Sequence, residues 1–396
     1  MKTKIAVTGI SAISALGAHK NNFLFTPDHN LKFDVDLKAW IGKLPTELAQ
    51  EINLIRDENR NYQSLDPTVL FALYTSRIAA KNAGWKHGDS FGINIGSSRG
   101  ATQLFEKYYS TFAKNKQTET LASPTTTLGN ISSWVAQDLQ NDGPEISHSI
   151  TCSTALHALL NGVAWLRSGM CDKFLVGGSE AALTDFTIAQ MRSMKTYSRA
   201  DENAEYPCRA LDPDKKENTM VLGEGAASVC LEVGEQENAL AYISGVGYAT
   251  ERLIHAVSVT AEAECFQKSM KMALGETSPE EVDAIVMHAP GTMLGDSSEV
   301  KAIEKVFGFK PNKENENYPL LTTNKWKLGH TFGASGLLNL DLAIAMLQDQ
   351  KILKIPFVSP QVQGIKESNK NRAIKNVMVN AVGFGGNAVS ILVTKP

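Results

Sequence analysis

The strongest constraint on the fold is that the chain begins twice. Ala6-Val7-Thr8-Gly9-Ile10-Ser11 and Tyr242-Ile243-Ser244-Gly245-Val246-Gly247 each read as an apolar strand leaving through a hydroxyl residue and a glycine. A second echo keeps the same order. A turn and an apolar helix follow Cys152 and lead into a strand at Lys173 to Val176. The stretch Gly333 to Leu347 after His330 leads in the same way into a strand at Val377 to Asn380. The shared order points to a duplicated α/β unit with a boundary near Gly234, giving halves 1–234 and 235–396. Strands alternating with helices favour mainly parallel sheets covered by helices on both faces.

Local signals fill in this frame. Asp66-Pro67 predicts an N-cap with proline at the first helical position, a helix through Val69 to Ala83, and a stop at Gly84. A strand follows at Phe91 to Ile95. Gly96-Ser97-Ser98-Arg99-Gly100 then opens a helix through Leu104 to Phe112; a turn of this kind can hold a phosphate, but it matches no complete phosphate-loop pattern. Ser198 to Asn218 is a polar excursion, read as an insertion over the active face. The 396 residues carry a formal charge of −3 with no long charge block, which argues against a nucleic-acid arm or a disordered tail. Five scattered cysteines without a CxxC pair suit neither a disulfide framework nor a zinc site and predict a reducing compartment. No apolar run reaches about 18 residues and the N-terminus has no signal-like segment, so a cytoplasmic protein is expected.

The chemistry gathers in three stretches. Cys152, in Ser149-Ile150-Thr151-Cys152-Ser153-Thr154-Ala155, ends a β-branched run and opens an apolar helix to Ser168, stopped by Gly169. At a helix N-terminus, unpaired N–H groups and the dipole favour thiolate over thiol, making Cys152 a candidate nucleophile. The strand Ala284 to Met287 ends at His288, at a strand end of the kind where open α/β sheets place ligands. Asp296 and Glu299 then read as a helix cap with an acidic residue at the third position. The other stretches are Thr323 to His330, with small residues Gly333-Ala334-Ser335-Gly336 behind the histidine, and the turn Gly383-Phe384-Gly385-Gly386-Asn387.

Together these motifs resemble the β-ketoacyl-acyl-carrier-protein synthases, condensing enzymes with a thiolase-like fold. The resemblance spans nearly the whole chain. It includes Thr8-Gly9, Thr151-Cys152-Ser153, Gly177-Gly178-Ser179-Glu180-Ala181, Arg209-Ala210-Leu211-Asp212 and Gly223-Glu224-Gly225. It continues in His288 with Asp296 and Glu299, Lys325 five residues before His330, and Gly383-Phe384-Gly385-Gly386. The resemblance implies a duplicated α-β-α-β-α layered fold of the Cys-His-His branch. Its first half, 1–234, would carry the nucleophile Cys152, and its second, 235–396, the pair His288 and His330. It further implies Lys325 and Glu299 as supports, Phe384 as a gating aromatic whose N–H forms an oxyanion hole with that of Cys152, and Thr292 as a contact for the pantetheine arm. The implied reaction is decarboxylative Claisen condensation of a Cys152-bound acyl chain with a malonyl thioester, needing no metal or redox cofactor. The implied partners are an acyl carrier protein and a second, identical or homologous subunit, with no nucleic acid and no membrane. Arg56, Arg60 and Arg199 fall where members of such a family carry carrier-docking residues.

The chain also departs from the family pattern. His288-Ala289-Pro290-Gly291-Thr292 stands where the family has His-Gly-Thr-x-Thr, so one expected hydroxyl is replaced by Pro290. Lys216-Glu217-Asn218-Thr219 stands in place of Arg-Asp-Gly-Phe, the threonine usual between Gly386 and Asn387 is missing, and the region before Asp66 is short. These departures favour a specialised ketosynthase, such as those of aryl polyene or other polyketide-like pathways, over housekeeping elongation. A rival reading is a non-catalytic partner resembling chain-length factors. Pro290 supports that rival and Cys152 argues against it.

Overall fold

The two halves build the same sheet. The computed structural model describes residues 3–19, 24–86, 88–126, 128, 130–252, 259–308, 318–365 and 372–396. In the first half the strands, numbered along the chain, are Ile5–Ser14, Gly92–Gly96, Glu145–Ile146, Lys173–Glu180 and Gly225–Val233, and they lie side by side in the order 1-5-4-2-3. In the second half Ala241–Thr250, Ala284–Val286, Leu320–Thr322, Asn376–Gly383 and Asn387–Thr394 lie in the same order. Polarity repeats as well. In each half the pairings 1-5 and 5-4 are antiparallel, and 4-2 and 2-3 are parallel. The two sets meet at one short antiparallel contact, Ala6 opposite Tyr242 and Val7 opposite Ala241.

Helices separate and cover these sheets. The cysteine helix, Thr154–Ser168, and the histidine helix, Ser335–Asp349, lie between the two strand sets and touch both as well as each other. Pro67–Ala83 covers the outer face of the first set, and Glu264–Leu274 covers that of the second. The result is a layered α-β-α-β-α arrangement. Twelve of the fifteen residues of Ser335–Asp349 are buried, as expected of a helix with sheet on two sides. Pro67–Ala83 begins as its sequence predicts, with the Asp66 carboxylate accepting from Thr68 N–H (2.9 Å), and it ends on left-handed Gly84.

Glycines allow the close crossings. A Cβ on Gly336 would stand 2.6 Å from Leu156 Cγ, and one on Gly178 would stand 2.7 Å from the Ala155 Cβ and 3.0 Å from the Ala334 Cα. Both distances are too short for real side chains, so the two buried helices and the strand Lys173–Glu180 approach only because these positions are bare. A smaller sheet, Lys32–Asp34, Ala39–Gly42 and Leu222–Gly223, forms from the region before Asp66 together with the segment that follows the polar excursion. Ahead of the polar excursion, Thr184 caps a helix at Asp185–Ser193. No strand leads into Cys152; the edge strand Glu145–Ile146 ends earlier, and Ile150 and Cys152 form only an isolated bridge.

Candidate active site

Duplication brings the candidate residues together. Cys152 and His330 occupy equivalent places in the two halves, each between the third strand and the central helix that follows it. The chain turns sharply at the cysteine. Thr154 Oγ1 accepts from Ile150 N–H (2.9 Å) and donates to the Thr151 carbonyl (2.6 Å), holding Thr151 at φ +45°. A β-branched residue in that region carries roughly 1–3 kcal/mol of strain, which the surrounding bonds offset. Gly383 crosses directly over the turn, where a Cβ would stand 2.0 Å from Thr151 Oγ1. Phe384 is thereby held beside Cys152, and Thr151 Oγ1 also donates to its carbonyl (3.4 Å).

His330 is fixed through its main chain. Its N–H donates to the Val221 carbonyl (2.7 Å), and its own carbonyl accepts from Gly223 N–H (3.0 Å). Gly223 must be bare, since a Cβ would stand 2.3 Å from the Leu328 carbonyl. His288 is held from below: Glu299 accepts from His288 N–H (3.0 Å) and Ala289 N–H (2.8 Å), and Asn380 donates to the same carboxylate (3.2 Å). The two imidazoles stand edge to face, with centroids 5.3 Å apart and an interplanar angle of 88°. Cys152, His288, His330, Thr292, Pro290 and Phe384 all line one cavity of about 270 Å³, whose apolar wall is Met191, Met194, Met220 and Phe332. That wall had no signal in the sequence. Its methionines flank the polar excursion, Met191 and Met194 before it and Met220 after it, and Phe332 lies behind His330, so only folding makes them neighbours.

Burial sets the charge states. Cys152 is 5% exposed. Desolvation, aided by the charge of Glu180 and opposed by Lys325, pushes its thiol from 9.0 up to about 12. A helix N-terminus contributes about 0.3–1 kcal/mol, up to ~2, or at most roughly 1.5 pH units of acidification. Cys152 also lies two residues before the first helical residue, with Ser153 as the cap. Burial therefore outweighs the dipole and the resting thiol is protonated, which corrects the expectation of a helix-stabilised thiolate. Desolvation, then the Lys325 cation, holds both imidazoles well below the ordinary histidine range, so both are neutral. Neither Nδ1 has a hydrogen-bond partner among the described residues. Lys325, fully buried, donates to Asn339 Oδ1 (3.3 Å); desolvation lowers its ammonium to about 8 against the raising influence of Glu299 and Cys152.

The capping expectation for Asp296 and Glu299 fails. Thr292 caps the helix Met293–Phe307 by accepting from Gly295 N–H (3.2 Å). Asp296, inside that helix, accepts from Gly291 N–H (3.0 Å), Leu211 N–H (2.8 Å) and Lys215 Nζ (2.7 Å), so it fastens the His288 loop to the Arg209–Asp212 motif. The turn Gly96–Gly100 does hold an anion, but an internal one: Ser98 and Arg99 N–H groups donate to the Glu180 carboxylate. Of the arginines, Arg56 donates through Nη1 to the carbonyls of Tyr62, Gln63 and Leu65, while Arg60 and Arg199 are exposed. Arg199 follows Ser198, whose N–H donates to the carbonyl of the cavity residue Met220 (2.8 Å).

Residues 7–237 match the family model for the β-ketoacyl synthase N-terminal domain, and residues 240–357 match that for its C-terminal domain. The chain belongs to the β-ketoacyl synthase family. It is 26% identical over 420 residues to the 3-oxoacyl-[acyl-carrier-protein] synthase 2 of Coxiella burnetii, covering 100% of this chain and 99% of that protein. A β-ketoacyl synthase from Burkholderia phymatum has the same fold, with a TM-score of 0.84, 21% identity and complete coverage of both chains. So does a type II polyketide ketosynthase solved with its acyl-carrier protein, with a TM-score of 0.83, 18% identity and complete coverage of both. Family membership makes this chain a condensing acyltransferase, and the chain-length-factor reading is not favoured over it. Among the described residues no helix is long and apolar enough to cross a membrane.

The charge balance of this β-ketoacyl synthase is testable. Because the Lys325 cation depresses both imidazoles, Lys325→Met is expected to raise the pKa values of His288 and His330. Ring-proton NMR titration of the wild type and the variant checks this; histidines that titrate no higher in Lys325→Met would show that desolvation alone keeps them neutral.

Proposed function

We propose that Cys152 is the acyl-accepting nucleophile of a decarboxylative Claisen condensation and that His288 and His330 serve the malonyl half of the reaction. The observation that carries this reading is the single cavity shared by one cysteine and two neutral imidazoles, walled by methionines and Phe332. An acyl thioester enters, the Cys152 thiol gives its proton to a neutral imidazole, and sulfur attacks the carbonyl carbon. The N–H groups of Cys152 and Phe384 take the developing oxyanion; its collapse breaks the donor's carbon–sulfur bond, and the donor thiol leaves with the proton returned by the imidazole. A malonyl thioester follows. Its carbon–carboxylate bond breaks, CO₂ leaves, and the two imidazoles stabilise the enolate oxygen by hydrogen bonding. The enolate carbon attacks the acyl-cysteine, forming the new carbon–carbon bond and releasing the Cys152 sulfur. Lys325 and Glu299 are positioning residues, the first keeping the imidazoles neutral and the second holding the His288 main chain. Thr292, on the cavity wall, is the contact left for the pantetheine arm now that Pro290 replaces the first hydroxyl. Halves 1–234 and 235–396 supply the cysteine and the histidines respectively, and five free cysteines support a reducing, cytoplasmic setting.

Incubation with acylated carrier proteins is expected to add the acyl mass to Cys152, and Cys152→Ala is expected to reduce condensation at least ~10⁴-fold with the fold intact. Failure of every carrier and of a small acyl thioester to label Cys152 would return the non-catalytic partner reading.

An acyl carrier protein is the proposed donor. Net charge does not attract it, since the chain is itself slightly negative, so recognition rests on local positive charge near the mouth. Arg199 is the principal candidate because its segment pairs with Met220, and Arg60 with Arg56 is a secondary one. Arg199→Glu is expected to slow acylation from the carrier about tenfold while leaving transfer from an N-acetylcysteamine thioester unchanged. Equal losses with both donors would move Arg199 from docking to the site.

A two-fold dimer is proposed on the side of the edge strand Glu145–Ile146. The helix Thr102–Asn115 leaves Phe105, Tyr109 and Phe112 at 57%, 62% and 44% exposure, three aromatics at i, i+4 and i+7 on one helix face. Sedimentation at micromolar concentration should give twice the 43.0 kDa chain mass, and Tyr109→Asp should shift it toward monomer.

A further inference from the structure

Beneath the cysteine turn lies a buried carboxylate to which the proposed reaction gives no task. Glu180 ends the strand Lys173–Glu180 and is fully buried. Its oxygens accept from the N–H groups of Ser98, Arg99 (3.3 Å) and Gly333 (3.1 Å), and from the Ser97 hydroxyl. These donors come from different halves of the chain: the turn after the second strand of the first half, and the loop between His330 and its helix. The fit leaves no slack. A Cβ on Gly333 would stand 2.6 Å from Glu180 Oε1 and 3.2 Å from the Thr154 Cβ, so the loop behind His330 packs tightly against both the carboxylate and the first residue of the cysteine helix.

We propose that Glu180 is a positioning residue for Cys152: it fastens the histidine loop, at Gly333, to the turn Gly96–Gly100, which holds the segment ahead of Cys152 through Ser97 N–H on the His148 carbonyl (3.2 Å) and the Ser149 hydroxyl on the Ser98 carbonyl (3.4 Å), and its negative charge opposes that of a thiolate. It does not line the cavity, so it acts through Cys152 and not on substrate. The charged side chains acting on the Cys152 sulfur are Glu180 and, with opposite sign, Lys325. His288 and His330 are neutral. His148, on the carbonyl of Thr154 (3.1 Å), is held neutral by burial. The Arg99 guanidinium is turned away to Gln190 and Thr187 and does not neutralise the carboxylate.

Desolvation raises the Glu180 carboxyl to about 7 against the pull of its N–H donors, so its charge changes near neutrality. Below that pH Cys152 faces a neutral acid. Above it Cys152 faces an anion that opposes thiolate formation. The inference rests on Cys152 as the nucleophile, but its test requires no acyl donor. Iodoacetamide alkylation of Cys152, read by peptide mass between pH 6 and pH 9, is compared for the wild type and Glu180→Gln. Equal rates near pH 6 and a several-fold faster variant by pH 9 are expected. A variant-to-wild-type ratio that stays constant with pH, or a variant slower throughout, overturns the proposal. Should Glu180→Gln not fold, Ser97→Ala decides: loss of a donor raises the Glu180 pKa, so alkylation near pH 7.5 should rise, and an unchanged profile overturns the assignment. A Cys152 that alkylates with this pH signature yet accepts no acyl group would refute the reaction and leave the role of Glu180 standing.

Discussion

Everything in this molecule depends on how closely two buried helices begin. The cysteine helix and the histidine helix start side by side under two sheets, and they do so because Gly178, Gly333 and Gly336 carry no side chain where Ala155, Thr154 and Leu156 press against them. A methyl group at any of the three would force backbone apart in an interior packed like a crystal. Since Cys152 and His330 stand just ahead of those helices, any such shift would change their spacing directly. Helix packing and site geometry are one constraint here.

The same burial governs the electrostatics. A site enclosed by methionines and phenylalanine strengthens every dipole aimed at a developing oxyanion, because little water competes. It also penalises every standing charge, and the ionisable groups answer in two ways. Cys152, His288 and His330 rest neutral. Glu180 and Glu299 remain acceptors by gathering main-chain N–H groups, yet both are still pushed up to about 7. Lys325 is drawn down to about 8. Negative charge on the resting sulfur is therefore disfavoured in this cavity, which agrees with the proposed step in which the thiol gives up its proton only as the thioester is attacked.

Strain and clamping complete the arrangement. Thr151 sits at φ +45° with Gly383 against its hydroxyl, so the cysteine turn and the Phe384 turn cannot move independently. Asp296 performs a related task on the other side, joining the His288 loop to the polar excursion through Gly291, Leu211 and Lys215. Each clamp joins segments far apart in the chain.

Much of this was legible in the sequence. The strand and glycine at Thr8-Gly9 and Ser244-Gly245, and the turn, helix and strand after Cys152 and His330, revealed the duplication because a repeated fold must repeat its local punctuation. Asp66-Pro67 and Gly84 fixed a helix because caps are local chemistry. Cys152, His288 and His330 stood out as candidates because few residue types can act as nucleophile or hydrogen-bonding acid near neutral pH. What the sequence could not reveal were relations across the fold. Alternation of strand and helix says nothing about the antiparallel return of each half's last strand, since polarity belongs to the pairing and not to the strand. A carboxylate three residues into a helix looks like a cap until the loop it actually serves, as Asp296 serves Gly291, is folded against it. A cysteine near a helix start reads as a thiolate until burial, which only the tertiary structure decides, outweighs the helix dipole and keeps the proton on sulfur.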